Sequence, residues 1–306
     1  VPLMLGPSPA AFLYLDARAN RPGHAHMVAP MRPHAAAFCG ALGRLAGLAL
    51  ANLKRVEIER RQAMIEHDLN AAAAAQRWVL PPRHTSIGPF TITGESRPGR
   101  FVGGDFFDVI DLGNDRIAVA LGDVSGKGVE ASVLMTATQG FLHAALQLHG
   151  EPARAVTAAN AFVAPRRPDC RFVTLWVALL DLPSRTLTYV DAGHSYATLF
   201  DDAGAMTELN LGDGPPLGVA DDYTYKIETI PLPPHGRLAI VSDGFIEQPA
   251  PAAGDDGQRI QFEMAGVCRC LSATNEDDVA ALFSAIVAHA GSNQLADDAT
   301  AVCVRW

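Results

Sequence analysis

Four short acidic clusters hold the residues of this chain best suited to chemistry: Gly103-Gly104-Asp105, Gly122-Asp123-Val124-Ser125-Gly126-Lys127-Gly128, Ser242-Asp243-Gly244 and Asp297-Asp298-Ala299-Thr300. Each borders an apolar, strand-like run, with glycine or another small residue beside the carboxylate, so the backbone can approach a ligand closely. One such Asp is ordinarily a turn residue or a helix cap. Four without His or Cys companions read differently, because carboxylates gathered at sheet ends repel one another unless a cation neutralises them. An all-oxygen donor set suits Mg²⁺ or Mn²⁺ better than zinc. A carboxylate shared between two such ions, about 3.5 to 4 Å apart, would activate water for attack on a phosphate. The residues alone therefore point to phosphate-ester hydrolysis.

The run Gly122 to Gly128 is not a Walker A loop, since the spacing of G-x-x-x-x-G-K-[ST] is absent and Gly128 stands where Ser or Thr would follow the lysine. It opens a helical pattern instead, and Lys127 is either a phosphate contact or a solvated surface lysine. The elements that must position the clusters are short β-type runs: 90–94, 106–112, 116–123, 172–181, 186–192, 197–200, 223–230, 237–242 and 299–305. Helical patterns at 130–148, 152–162 and 277–290 interrupt them. Strands come in hairpin-like groups rather than in β-α-β alternation, which predicts an α+β fold of mainly antiparallel sheets with helices on their outer faces.

Before these, residues 10–16 read as a strand with no visible partner, 20–33 as a loop, and 34–80 as one long or two consecutive helices ended by Pro81-Pro82. Within the helix, Ile58, Gln62, Ile65, Leu69, Ala72, Gln76 and Val79 follow steps of four and three. That heptad fits a dimeric coiled coil and equally an amphipathic helix packed on its own domain.

Composition narrows the partners. With 24 Lys and Arg against 33 Asp and Glu, the net charge of -9 disfavours nucleic acid. No stretch reaches the roughly 18 to 20 apolar residues of a membrane span. Five cysteines, an odd number with no C-x-x-C pair, suggest reduced thiols, so a soluble cytoplasmic protein is expected.

From about Gln76 to Trp306 the order of the motifs resembles the PPM-type metal-dependent serine/threonine phosphatases of the bacterial SpoIIE/RsbU branch. The resemblance rests on Gln76-Arg77-Trp78-Val79-Leu80-Pro81, Arg97-Pro98, Val102-Gly103-Gly104-Asp105-Phe106-Phe107-Asp108, Gly122 to Gly128, Phe172-Val173-Thr174-Leu175, Asp191-Ala192-Gly193-His194, Pro216-Leu217-Gly218, Ser242-Asp243-Gly244 and Asp297-Asp298-Ala299-Thr300. It implies an α-β-β-α sandwich with two Mn²⁺ or Mg²⁺ ions between the sheets. By position, Asp123 would bridge both ions and the Val124 carbonyl would join one. Asp243 and Asp297 would complete the other shell, with Asp298 as the alternative to Asp297. Asp105 would hold metal-bound water or a ligand, which makes Asp105 and Asp123 the catalytic candidates. Ser125 stands where eukaryotic members carry a His proposed as general acid, so leaving-group protonation falls to a metal-bound water. Arg100 and Lys127 are candidates for the substrate phosphate, and His194 reads as structural.

The opening segment resembles the last strand and C-terminal helix of a GAF sensor domain, too short for a whole one. The expected organisation is a partial GAF-like domain at 1–52, a helical linker at 53–83 and the phosphatase domain at 84–306. The implied substrate is a phosphoserine or phosphothreonine on a regulatory partner, typically a STAS-type anti-sigma-factor antagonist, with a possible homodimer through the linker. The competing reading is a catalytically silent pseudo-phosphatase that binds phosphoprotein as a dimer.

Overall fold

The computed structural model describes residues 2–5, 8–12, 33–99, 101–167, 170–209, 214–253, 259–272 and 277–306. The chain divides into two compact units, 1–68 and 69–306, with the boundary inside the expected linker. In the first, β1 (Pro2–Leu5) pairs antiparallel with β2 (Ser8–Phe12), so the opening strand has a partner that its sequence did not reveal. The rest of the expected strand, 13–16, lies outside the described residues. A single helix α1 (Pro33–Gln76) follows and runs on into the second unit. It ends as expected before Pro81-Pro82, through turn bonds from Trp78 N to Ala75 O and Val79 N to Gln76 O.

The second unit adds β3 (His84–Ile87), β4 (Phe90–Arg97), β5 (Phe106–Asp111), β6 (Arg116–Val124), α2 (Val129–His149) and α3 (Pro152–Val163). Then come β7 (Val173–Asp181), β8 (Thr186–Ala192), β9 (Ala197–Asp201), β10 (Met206–Glu208), β11 (Glu228–Pro231) and β12 (Gly236–Val241). It closes with α4 (Asp243–Ile246), β13 (Pro249–Ala253), β14 (Arg259–Gln261), α5 (Glu263–Ser272), α6 (Asp278–Ala290) and β15 (Ala299–Arg305). A six-stranded sheet runs β10-β9-β12-β15-β4-β3 and a five-stranded sheet runs β11-β8-β7-β6-β5, every neighbouring pair antiparallel.

Side-chain alternation builds the layers. Along β6, Ala118 and Ala120 pack under α2 and α3, while Ile117, Val119 and Leu121 face the other sheet. Along β15, Val302 and Val304 face between the sheets, and Ala299, Ala301 and Cys303 pack against α5 and α6. Strands buried on both faces read as continuous apolar runs, which is why they were legible. The result is the expected α-β-β-α sandwich. The expected strand at 223–230 is shorter, Glu228–Pro231, because Tyr225 turns into the core beneath α3 and its hydroxyl donates to the Pro215 carbonyl.

The heptad divides in the same way. Ile58 and Ile65 are about half exposed, while Ala73 is buried and Leu69, Ala72 and Gln76 are half-buried in the second unit. Gln76 is no seam residue in this arrangement, since its side-chain amide is bonded to the Gly103 backbone.

Candidate metal centre

The parity of the strands decides where the acidic side chains go. Asp123 continues the row Ile117, Val119, Leu121 at the end of β6, and Asp105 precedes β5 in phase with Phe107, so both belong to the face between the sheets. Asp243 opens α4 directly after β12, and Asp297 and Asp298 immediately precede β15. All six expected ligand positions, Asp105, Asp123, Val124, Asp243, Asp297 and Asp298, line one cavity of about 200 Å³ at this end of the sandwich, together with Ser125, Lys127, Phe172 and Thr174.

Glycines permit the closeness. A Cβ on Gly104 would stand 2.7 Å from the Val124 carbonyl oxygen and 3.3 Å from Asp123 Oδ1, and one on Gly244 would collide with the Asp298 carbonyl. Val124 N donates to Gly104 O at 3.3 Å, which ties the loop before Asp105 to the end of β6. Asp298 holds the same loop from the other side, its Oδ1 accepting from Gly99 N at 2.8 Å and its Oδ2 from Gly104 N at 2.6 Å. The Ser242 hydroxyl accepts from Thr300 N at 2.9 Å and its own N–H donates to Thr300 O, which locks the Asp243 turn to β15.

Asp105 is buried, and among the described residues neither of its carboxylate oxygens has a hydrogen-bond partner. Burial, and then the neighbouring Asp123 and Asp298, push its pKa well above the carboxylate range, while the nearby Ser242 and Thr300 hydroxyls offset this only in part. Burial and then Asp243 raise Asp123 to about 7. Asp243 is raised by burial, Glu247 and Asp297, and Asp298 by burial, against the Gly99 and Gly104 amides that lower it. Among the described residues no three His, Cys, Asp or Glu side chains close into a ready-made metal cage. The carboxylates instead ring a cavity, and an unpartnered buried carboxylate in an all-oxygen set is an environment that a hard divalent cation fits.

The remaining candidates fare differently. Lys127 Nζ lies 2.8 Å from Asp297 Oδ2 and 3.4 Å from the Ala296 carbonyl, on the lining of the same cavity. Arg100 lies outside the described residues. Ser125 Oγ accepts from Phe172 N, just before β7, at 2.9 Å. His194 is buried and bonded, as a structural residue would be.

Two glutamines outside the acidic clusters brace the loop and strand on either side of Asp105. Gln76 donates to Gly103 O at 2.8 Å and accepts from Gly103 N at 3.3 Å, and Gln139 of α2 donates to both Val79 O and Phe107 O. The only sequence signal was the presence of Gln76 in the motif run 76–81.

Two outcomes follow from this geometry. Replacing Gln76 with Leu leaves two Gly103 backbone groups without their partner, at a cost of roughly 1–3 kcal/mol; hydrogen exchange should quicken in peptides covering 103–105, whereas Gln62→Leu should leave them unchanged. The second concerns pH without metal. A carboxyl raised to about 7 in the fold and near 4 when unfolded lends stability that is fully present below pH 4 and lost as pH rises through 7. Thermal unfolding in chelator should therefore show Asp123→Asn more stable than the parent at pH 8, by on the order of 4 kcal/mol, with the gap narrowing as pH falls and closing only near pH 4.

The family model described as stage II sporulation protein E matches residues 113–306, more than half of the chain, beginning just after the Asp105 strand. Protein IcfG of Synechocystis sp. is 25% identical over 211 residues, covering 60% of this chain and 33% of that protein. Phosphoserine phosphatase RsbU of Bacillus subtilis is 22% identical over 201 residues, covering 66% of this chain and 60% of RsbU. The chain thus spans between a third and three fifths of these relatives. Among solved structures, the SiaA-PP2C domain of Pseudomonas aeruginosa superposes with a TM-score of 0.67 at 20% identity, over 80% of this chain and 98% of that domain. With its sandwich matching a PP2C domain and its sequence matching the family model from residue 113 to its end, the chain belongs to the SpoIIE family.

Proposed function

We propose that the chain is a metal-dependent protein phosphatase that hydrolyses phosphoserine or phosphothreonine on a regulatory protein. The observation that carries this reading is the convergence of carboxylates from four separate chain segments on one cavity, with Asp105 buried and unpartnered. The relative named phosphoserine phosphatase RsbU supports the substrate class. Two divalent ions, Mg²⁺ or Mn²⁺, would supply charge neutralisation of the phosphate and a water acidic enough to attack it near neutral pH.

The chain's own residues would act as follows. Asp123 would be the ligand that serves both ions, and the Val124 carbonyl would join one of them. Asp243 and Asp297 would serve the other ion. Asp105 holds a proton or a ligand at the buried end of the cavity. Ser125 cannot act as a general acid in the way an imidazole does, since its hydroxyl is far too weak an acid. A groove of about 700 Å³, lined by Leu69, Phe101, Val102 and Leu295, shares Lys127, Asp297 and Asp298 with the site and gives a polypeptide room to approach. We assign the partner as a phosphorylated STAS-type anti-sigma-factor antagonist and residues 53–83 as a linker that pairs two copies.

Exhaustive chelation should abolish hydrolysis of a phosphoserine peptide, and added Mg²⁺ or Mn²⁺ should restore it. Asp123→Asn should lose at least about a hundredfold in kcat, while Ser125→Ala stays within several-fold of the parent. Undiminished turnover in chelator defeats the reading, and metal binding without turnover in the parent supports the silent pseudo-phosphatase instead. For the linker, light scattering should give a dimer that Ile58→Glu with Ile65→Glu converts to a monomer. A parent that stays monomeric at high concentration removes the pairing.

A further inference from the structure

The connection between β8 and β9 carries the chain from the five-stranded sheet to the six-stranded one, and it does so at the end of the sandwich where the carboxylates gather. It is a built turn. Gly193 and Ser195 both have left-handed backbones, φ 78° and 60°, a conformation that costs a serine energy unless its surroundings impose it. Asp191, itself buried, imposes it: Oδ1 accepts from His194 N at 2.8 Å and from Ser195 N at 3.3 Å, and Oδ2 accepts from the Ser195 hydroxyl at 3.1 Å. The consequence is that the His194 ring points inward, 3% exposed.

Its two nitrogens reach different sheets. Nε2 lies 2.9 Å from the carbonyl oxygen of Val241, the last residue of β12, and Nδ1 lies 3.3 Å from Thr174 Oγ1 on β7. A carbonyl can only accept, so Nε2 carries the hydrogen, and Nδ1, left with its lone pair, accepts from the threonine hydroxyl. That arrangement needs a neutral ring, and burial holds the imidazole down to about 4. Both anchors adjoin the metal centre. Thr174 is the cross-strand partner of Asp123 and lines the same cavity, and Val241 stands two residues before Asp243.

We propose that His194 is a positioning residue that sets the separation of Asp123 and Asp243 by bridging the two sheets next to the metal centre. Side chains such as Leu121, Trp176 and Ile240 hold the sheets together farther in, but apolar contact is non-directional and leaves small sliding motions cheap. The imidazole is rigid and makes a directional bond at each end, so it fixes the spacing at the point where two repelling carboxylates must share cations. The inference rests on the metal-dependent reading above and adds a residue to it.

Mn²⁺ binding to the full chain, followed by calorimetry, tests it. His194→Ala and Thr174→Val should each weaken Mn²⁺ binding by roughly tenfold or more, the loss usual for partners that orient metal ligands. The double variant should be little worse than either single one, because both remove the same bridge. His194→Gln keeps an N–H for Val241 and should recover part of the affinity. Trp176→Phe, which lowers stability within the same interlayer without touching the bridge, should leave Mn²⁺ affinity unchanged. Should His194→Ala fail to fold, Thr174→Val and His194→Gln decide the matter. Unchanged Mn²⁺ affinity in folded His194 and Thr174 variants, with only a lower melting temperature, overturns the proposal and leaves the metal-dependent reading standing. A parent chain that binds no Mn²⁺ overturns both.

Discussion

Mutual repulsion of half-buried carboxylates is the constraint around which this fold is arranged. Asp105, Asp123, Asp243 and Asp298 all have pKa values raised, first by burial and, for each of them, further by at least one carboxylate neighbour. At low dielectric such charges favour separation or protonation over proximity. Only a framework stiffer than the repulsion can hold them together. Antiparallel sheets buried on both faces, closed by helices on the outside, are such a framework, because every strand is fixed by ladder bonds and by two packed layers at once.

The framework acts at its ends. Parity along β5 and β6 keeps Asp105 and Asp123 on the interlayer face, so the acidic centre continues the apolar core where it meets solvent. Backbone groups then do what side-chain cations do elsewhere: Gly99 and Gly104 amides meet Asp298, and the Ser242 and Thr300 backbones lace the Asp243 turn to β15. Gly104 and Gly244 are required because a Cβ at either would occupy the space of the neighbouring chain. No backbone amide meets Asp105 in this way, and the nearby Ser242 and Thr300 hydroxyls offset its burial only in part, so this carboxylate is the feature hardest to understand from the protein atoms by themselves.

What the sequence made legible is what local pattern encodes. Double-sided apolar runs marked most strands of the sandwich, glycine beside Asp marked the site, and Pro81-Pro82 marked the end of α1. The short or exposed elements were not seen. β3 and β10 present no buried large apolar residue, and β13, Pro249–Ala253, carries two prolines that argue against a strand. The bridges that hold the site were equally invisible, since Gln76 reaches Gly103 across 27 residues and His194 reaches Val241 across 47, and no local periodicity records such a pairing. The heptad was ambiguous for a related reason: steps of four and three describe any helix face that is covered, and its last part, at Gln76, is covered by its own domain.

The adjacent pair Asp297 and Asp298 shows how magnitudes separate residues that sequence leaves equivalent. Both line the cavity. Asp298 accepts two backbone amide bonds, and drawing it onto a cation at their expense would leave the Gly99 and Gly104 N–H groups unpaired, at roughly 1–3 kcal/mol each. Asp297 is held by Lys127 in a pair whose side chains are 48% and 60% exposed, and such pairs contribute only about 0–1 kcal/mol. A divalent ion competing for Asp297 therefore displaces a weak, solvated contact, whereas competing for Asp298 dismantles the loop that carries Asp105. The same argument gives Asp298 its purpose, since the carboxylate that fixes the Gly99 to Gly104 loop keeps Asp105 beside Asp123, while Asp297 is the residue whose present partner is easiest to lose.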